Sequence, residues 1–257
     1  MVGQQKLMAK LETLSLATLP KSLLLIGEYG CGKHTFASLI AKKVGIPIQD
    51  ISHSLTLETI NEMRLSVNPI LYLINNNDIT LKEEGVLLNI LEEPSNNVFI
   101  IILCESKTSV LETIVNRCQS WEFEAYSKQE LFNFSQDEFI LSFANTPGKI
   151  KRFSSQPISA ELDFCNTLLI YTKTANLASI IASTNLIGFK EEPDKYNYWV
   201  IIELLDYCAF NKYKQGEISK KVFDLTHTLL NDSKIKNINT KYLFENYLCN
   251  LKLQGGQ

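Results

Sequence analysis

The chain lacks the features that mark export or membrane insertion. No stretch of its 257 residues approaches the roughly 20 apolar residues that span a bilayer. Residues 1–10 show no charged-then-apolar signal design. Paired cysteines are missing as well: Cys31, Cys104, Cys118, Cys165, Cys208 and Cys249 stand singly, with no C-x-x-C spacing. No zinc is therefore expected, and reduced thiols within apolar runs are. Nor is there a basic excess. Lys plus Arg is 25 against 28 Asp plus Glu, a net of −3, whereas a stand-alone duplex binder carries a basic face. Lys82 and Arg64 are candidates for DNA-backbone contact by position alone, and solvated surface is the plainer account. These absences point to a cytoplasmic, membrane-free protein with no autonomous grip on nucleic acid.

What is present begins at residue 27. Gly27-Glu28-Tyr29-Gly30-Cys31-Gly32-Lys33-His34-Thr35 follows the phosphate-loop pattern G-x-x-x-x-G-K-[ST] up to its last position. The glycines let backbone N–H groups converge on a phosphate, and the lysine reaches the terminal phosphates. The next residue should be a Ser or Thr whose hydroxyl binds Mg²⁺. Here it is His34, and imidazole is a poor Mg²⁺ ligand. Thr35 stands one residue late, about 100° further round the helix. Context supports the motif: Lys21–Ile26 reads as a buried parallel strand, and Thr35–Val44 as a helix with Phe36, Leu39, Ile40 and Val44 on one face. The bland alternative is an ordinary glycine turn that happens to contain Lys33.

A second deficit lies at a neighbouring strand tip. The strand Pro69–Ile74 runs into Asn75-Asn76-Asn77-Asp78. A working P-loop ATPase needs an aspartate there for the metal shell and commonly a glutamate to orient water. Asn75 and Asn76 supply uncharged amides instead. Two independent parts of one chemistry are missing, which argues for lost hydrolysis rather than a misread motif.

Further on stand Leu87-Leu88-Asn89-Ile90-Leu91-Glu92-Glu93-Pro94, the strand Val98–Leu103, Thr113-Ile114-Val115-Asn116-Arg117-Cys118 and Trp121-Glu122-Phe123. These LL-x-x-LEEP, TI-x-x-RC and W-x-F segments lie in order behind a P-loop, after an opening Val2-Gly3-Gln4. Together they resemble the AAA+ subunits of the bacterial sliding-clamp loader, over roughly residues 1 to 124. The resemblance implies a hetero-oligomeric ring of clamp-loader subunits, acting through the assembly on a sliding clamp and primer-template DNA in replication. It also implies that Arg117, in the place of the family's Ser-Arg-Cys arginine, enters the ATP site of an adjacent subunit, although Asn116 replaces the serine. A guanidinium there neutralises charge on the phosphoryl oxygens and never loses its proton. The alternative is a surface arginine in a salt bridge.

Other positions depart from the family. Its γ-phosphate sensor falls near Cys104-Glu105, where a carboxylate would repel a triphosphate. Thr146-Pro147-Gly148-Lys149 resembles the second sensor segment, with Gly148 at the arginine position and Lys149 or Lys151 as stand-ins. The family's zinc module has no counterpart in residues 45–68, which contain no cysteine. No cofactor is required on this reading, and what remains for ATP or ADP is weak binding by Lys33 and the residue 27–32 backbone.

The expected fold is α/β: an AAA+ P-loop parallel-sheet domain (1–124), a small helical lid (125–157) and an all-α collar domain (158–257). Strand-like runs fall at Ser22–Ile26, Ile46–Ile51, Ile70–Ile74, Val98–Leu103 and Trp121–Phe123. From Ser127 no strand is expected. Two short helices fill Ser127–Phe153, with Ser127 as cap, and Ser154–Pro157 is a connector. Helices follow at Glu161–Ala175, Tyr196–Lys214, Lys220–Asn231 and Thr240–Lys252, with turns at Glu192-Pro193 and Gln215-Gly216. Trp199, Ile202, Leu205 and Ala209 recur at helix spacing as core or subunit seam. Three functions stay open: a non-hydrolysing clamp-loader subunit, an active AAA+ ATPase with His34 or Thr35 in an unusual metal shell, or a phage or plasmid AAA+ adaptor.

Overall fold

The computed structural model describes residues 3–155, 158–174, 176–189, 195–235 and 238–255, without the side chains of 171–174, 177 and 255. Val2, the connector at Gln156-Pro157, the helix end at Ala175 and the turn at Glu192-Pro193 lie outside the described residues. The chain forms two compact units, Met1–Ser154 and Ser155–Gln257.

The first unit is built on a five-stranded sheet whose three middle strands are short apolar runs. In order, α1 (Gln5–Glu12), β1 (Ser22–Ile26), α2 (Lys33–Val44), β2 (Ile48–Asp50), α3 (Leu57–Arg64) and β3 (Ile70–Asn75) come first. Then follow α4 (Leu81–Glu92), β4 (Val98–Cys104), α5 (Glu112–Val115) and β5 (Gln119–Glu122). All five strands pair in parallel, in the order β2-β3-β4-β1-β5. A central parallel strand is covered on both faces, so its sequence is apolar throughout rather than alternating. β1 and β4 are buried along their whole length. The period of two still sorts their side chains. Leu23, Leu25, Leu71, Leu73, Phe99 and Ile101 pack with Leu7, Leu11, Phe36 and Ile40 of α1 and α2. Leu24, Ile26, Tyr72, Ile74, Ile100 and Ile102 pack with Ile60, Leu87, Ile90 and Ile114 of α3, α4 and α5. Gln4, almost wholly buried, locks the sheet edge by exchanging amide hydrogen bonds of 2.8 and 2.9 Å with the Glu124 backbone.

Three short helices close this unit, not the two expected: α6 (Lys128–Leu131), α7 (Glu138–Leu141) and α8 (Pro147–Ser154). Ser127 caps α6 in a capping box with Glu130, as its sequence demands. Asp137 caps α7 through the N–H groups of Phe139 and Ile140, a stop-and-start signal that splits the stretch.

The second unit contains α9 (Ser159–Thr174), α10 (Leu177–Ala182), β6 (Ile187–Gly188), β7 (Tyr196–Asn197), α11 (Tyr198–Lys214), α12 (Lys220–Asp232) and α13 (Thr240–Gly255). The helical pattern holds with two corrections. Asn176 caps the additional helix α10 through the Ser179 N–H. Strands do not stop at Ser127, because β6 and β7 form a two-residue parallel pair. Ile202, Leu205 and Ala209 are core, whereas Trp199 is 40% exposed and lies off that stripe. Two buried hydroxyl pairs knit the bundle: Tyr198 with Ser233 at 2.6 Å and Thr226 with Tyr247 at 3.0 Å.

The cysteines are reduced and unpaired in the fold. Burial pushes the Cys104 and Cys118 thiols up to about 12, so the reactive thiolate is scarce near neutrality. In the native protein at pH 8 both should react with iodoacetamide at least about 100-fold more slowly than in urea. Peptide mass spectrometry reads this, and equal native and denatured rates would contradict the burial assigned to them.

Candidate functional site

Residues Gly27 to Thr35 form one continuous turn from the end of β1 to the first turn of α2. Gly30 and Gly32 take left-handed backbone angles, φ 77° and 102°, which the curl of the loop requires. The first hydrogen bond of α2 runs from the Phe36 N–H to the Gly32 carbonyl, at 2.9 Å. The amides of Lys33, His34 and Thr35 therefore precede the helical ladder, the usual arrangement for receiving an anion.

The carbonyl side of the loop is fully engaged by this chain's own groups. Lys33 Nζ donates to the Gly27 carbonyl and, at 2.9 Å, to that of Glu28. Thr146 Oγ1 donates to the Tyr29 carbonyl at 2.8 Å, the Gly148 N–H to that of Gly30 at 2.9 Å, and Tyr126 Oη to that of Cys31 at 2.8 Å. Five consecutive loop carbonyls thus have named donors, three of them from the segment that carries α6 to α8. Side chains extend the joint. Asn145 Nδ2 donates to Glu28 Oε2 at 2.8 Å, Lys149 Nζ lies 3.9 Å from the same oxygen, and the Arg152 guanidinium lies 4.2 Å over the Tyr29 ring.

Glycine at position 148 has a steric cause. A Cβ on Gly30 would stand 2.7 Å from the Gly148 Cα and 2.8 Å from Thr146 Oγ1, and one on Gly148 would run into the Gly30 backbone. The two backbones touch, so neither can carry a side chain. The position expected for a sensor arginine is where the α6–α8 segment seats on the loop. Lys149, one of the two stand-ins expected beside Lys151, meets Glu28.

The groups needed for a magnesium shell do not fit here. His34 and Thr35 are both exposed. Asn75 bends its side chain into its own turn, Oδ1 accepting the Asn77 N–H at 3.4 Å and Nδ2 donating to Asp78 Oδ2 at 2.7 Å. Asn76 is wholly buried and donates to the Ser109 carbonyl at 2.8 Å. Both amides at the strand tip hold structure. Glu105 accepts from Asn77 Nδ2 at 3.2 Å, and the Cys104 carbonyl accepts the Gly27 N–H at 3.1 Å. Among the described residues no group of three or more His, Cys, Asp or Glu could hold a metal.

Arg117 sits apart from the loop, in the turn between α5 and β5. It is about one-third exposed, with Nη1 donating to the Thr113 carbonyl at 2.9 Å and Nη2 to Glu92 Oε1 at 2.7 Å. Arg64 is committed to the fold, donating to the Asn89 carbonyl at the end of α4 at 2.6 Å. Sequence reasoning missed Tyr126, Asn145 and Arg152 as partners of the loop and Glu92 as partner of Arg117. The only available signal was that Gly148 and Glu92 lie in segments already singled out.

A family model described as DNA polymerase III, delta subunit, matches residues 46–127, about a third of the chain. No curated protein matches the sequence. Among solved structures, a DNA polymerase III gamma subunit-related protein from Thermotoga maritima is 13% identical, with a TM-score of 0.52, covering 97% of this chain and 99% of its own. The RuvB P216G mutant of the same organism is 15% identical, with a TM-score of 0.52, covering 72% and 83%. At such identities the likeness is one of fold: a parallel five-stranded sheet with flanking helices, followed by a helical region.

The joint between lid and loop predicts a mutational cost. Gly148→Ala should destabilise the first unit by about 1–3 kcal/mol through overpacking. Urea unfolding followed by Trp121 fluorescence in a Trp199→Phe background isolates that unit. An unchanged midpoint would mean that the two backbones are not in contact.

Proposed function

We propose that this chain is a non-hydrolysing subunit of a bacterial clamp loader, of the delta-prime type of DNA polymerase III, working in the cytoplasm. The observation that carries the reading is a pairing of opposites. The chain's own phosphate loop has no metal ligand after Lys33 and no carboxylate at the tip of β3, yet an accessible arginine is kept at Asn116-Arg117-Cys118. The family match supports it, because residues 46–127 contain Asn75, Asn76, Glu92 and Arg117. The likeness to a gamma subunit-related protein along nearly the whole chain supports the fold on which such a subunit is built. No helix among the described residues is long and apolar enough to cross a membrane.

On this reading the loop supplies rigidity and at most weak, metal-independent contact with ATP or ADP. Arg117 supplies chemistry elsewhere: it enters the adjacent subunit's ATP site and neutralises charge that grows on the transferred phosphoryl group. The partners are the other subunits of the ring, with the sliding clamp and primer-template DNA met through the assembly. The chain alone should show no ATP hydrolysis. Nothing in the structure favours the active-ATPase alternative, since it needs His34 or Thr35 beside a carboxylate that Asn75 and Asn76 do not provide.

The test is a reconstituted ring carrying Arg117→Ala, with assembly checked by size. A trans arginine is worth on the order of 10³–10⁵ in rate in well-studied phosphoryl-transfer systems. The expected loss of DNA-stimulated ATPase is smaller, because one of several sites depends on it. Clamp loading should fall with it. Unchanged hydrolysis in a properly assembled mutant ring would return Arg117 to an ordinary surface residue.

A further inference from the structure

The surroundings of Arg117 carry an inference that rests on its proposed role in a neighbour's site. A flexible arginine is a poor electrophile until it is held, because its side-chain entropy is lost at the moment of reaction. Arg117 is held from two directions by two different elements. Nη1 is tied to the Thr113 carbonyl of the one-turn helix α5, and Nη2 to Glu92 Oε1 at the last residue of α4. Two acceptors on two terminal nitrogens fix the plane of a rigid fork. Of the five guanidinium N–H donors, two are used in this way, which leaves three for an incoming phosphate.

Glu92 is an unexpected residue at its own position. A carboxylate at a helix C-terminus opposes the helix dipole, and α4 has no basic residue in its last turn to offset it. Its compensation comes from Arg117 across the fold. The end of α4 is independently fixed, since Arg64 donates to the Asn89 carbonyl at 2.6 Å and Leu91 is buried in the core. The acid therefore stands on a rigid support. With Arg117 about one-third and Glu92 about half exposed, the pair is weak by itself, so a multiply charged phosphate can recruit the remaining donors without breaking a strong bond.

We infer that Glu92 is a positioning residue: it aims the Arg117 guanidinium from within its own subunit before the neighbour's nucleotide arrives. It touches no substrate itself and acts only through Arg117.

A cycle of variants in the reconstituted ring tests this, with assembly again checked by size. Glu92→Ala should lower the Arg117-dependent part of the DNA-stimulated rate about two- to five-fold, the range set by an exposed ion pair. The effect should fall on kcat, with KM for ATP little changed. Glu92→Gln keeps an acceptor at the same place and should restore most of the rate. In an Arg117→Ala background, Glu92→Ala should add nothing. If Arg117→Ala lowers the rate and Glu92→Ala does not, or raises it, the positioning role fails while the trans arginine stands. An additive loss in the double variant also overturns the role. If Arg117→Ala itself is silent, the reading beneath it has failed.

Discussion

The contact of the Gly30 backbone with that of Gly148 is the constraint on which the first unit depends. It lets the start of α8 approach closely enough for Thr146, Gly148 and Tyr126 to satisfy three consecutive loop carbonyls. Backbone carbonyls taken from water need partners. Within the loop Lys33 meets those of Gly27 and Glu28, and the segment from Tyr126 to Gly148 meets those of Tyr29, Gly30 and Cys31. Glu28, Asn145, Lys149, Tyr29 and Arg152 then close around the same joint. The loop keeps its curl through contacts internal to the chain.

That arrangement separates two properties that usually travel together in a P-loop protein, the shape of the loop and the chemistry it performs. Shape is retained by the parallel sheet, the buried β1 and the helix behind it. Metal-binding groups are what the proposed reading finds missing: His34 follows Lys33, and at the β3 tip Asn75 and Asn76 are taken into local hydrogen bonds. Arg117 lies on a different element, and its geometry does not depend on a nucleotide in the chain's own loop. On the proposed reading, a subunit without hydrolysis of its own still presents a fixed guanidinium.

Much of this was legible in the sequence for physical reasons. The strands β1, β3 and β4 are short apolar runs bounded by polar turns, and they needed no alternation because both of their faces are covered. Ser127 with Glu130 marks a helix start by a specific pair of hydrogen bonds, and it forms. The additional helices α7 and α10 begin at Asp137 and Asn176, cap residues whose signal is one side chain and easily passed over. The β6–β7 pair is two residues long, too short to leave a period. The seat of the α6–α8 segment on the loop joins residues 95 or more positions apart, and Glu92 meets Arg117 across 25. No local pattern encodes such meetings. Gly148 looked like a missing arginine, and the structure gives the steric reason for its glycine.

A loop held by contacts within its own chain needs no metal-competent nucleotide site to keep its form. Calorimetric titration of the isolated chain with ATP, with and without magnesium, tests it most directly. Weak binding or none, with no gain from magnesium, is the predicted result. Tight binding that requires magnesium and is abolished by Lys33→Ala would contradict it, because a metal shell would then exist around His34 or Thr35.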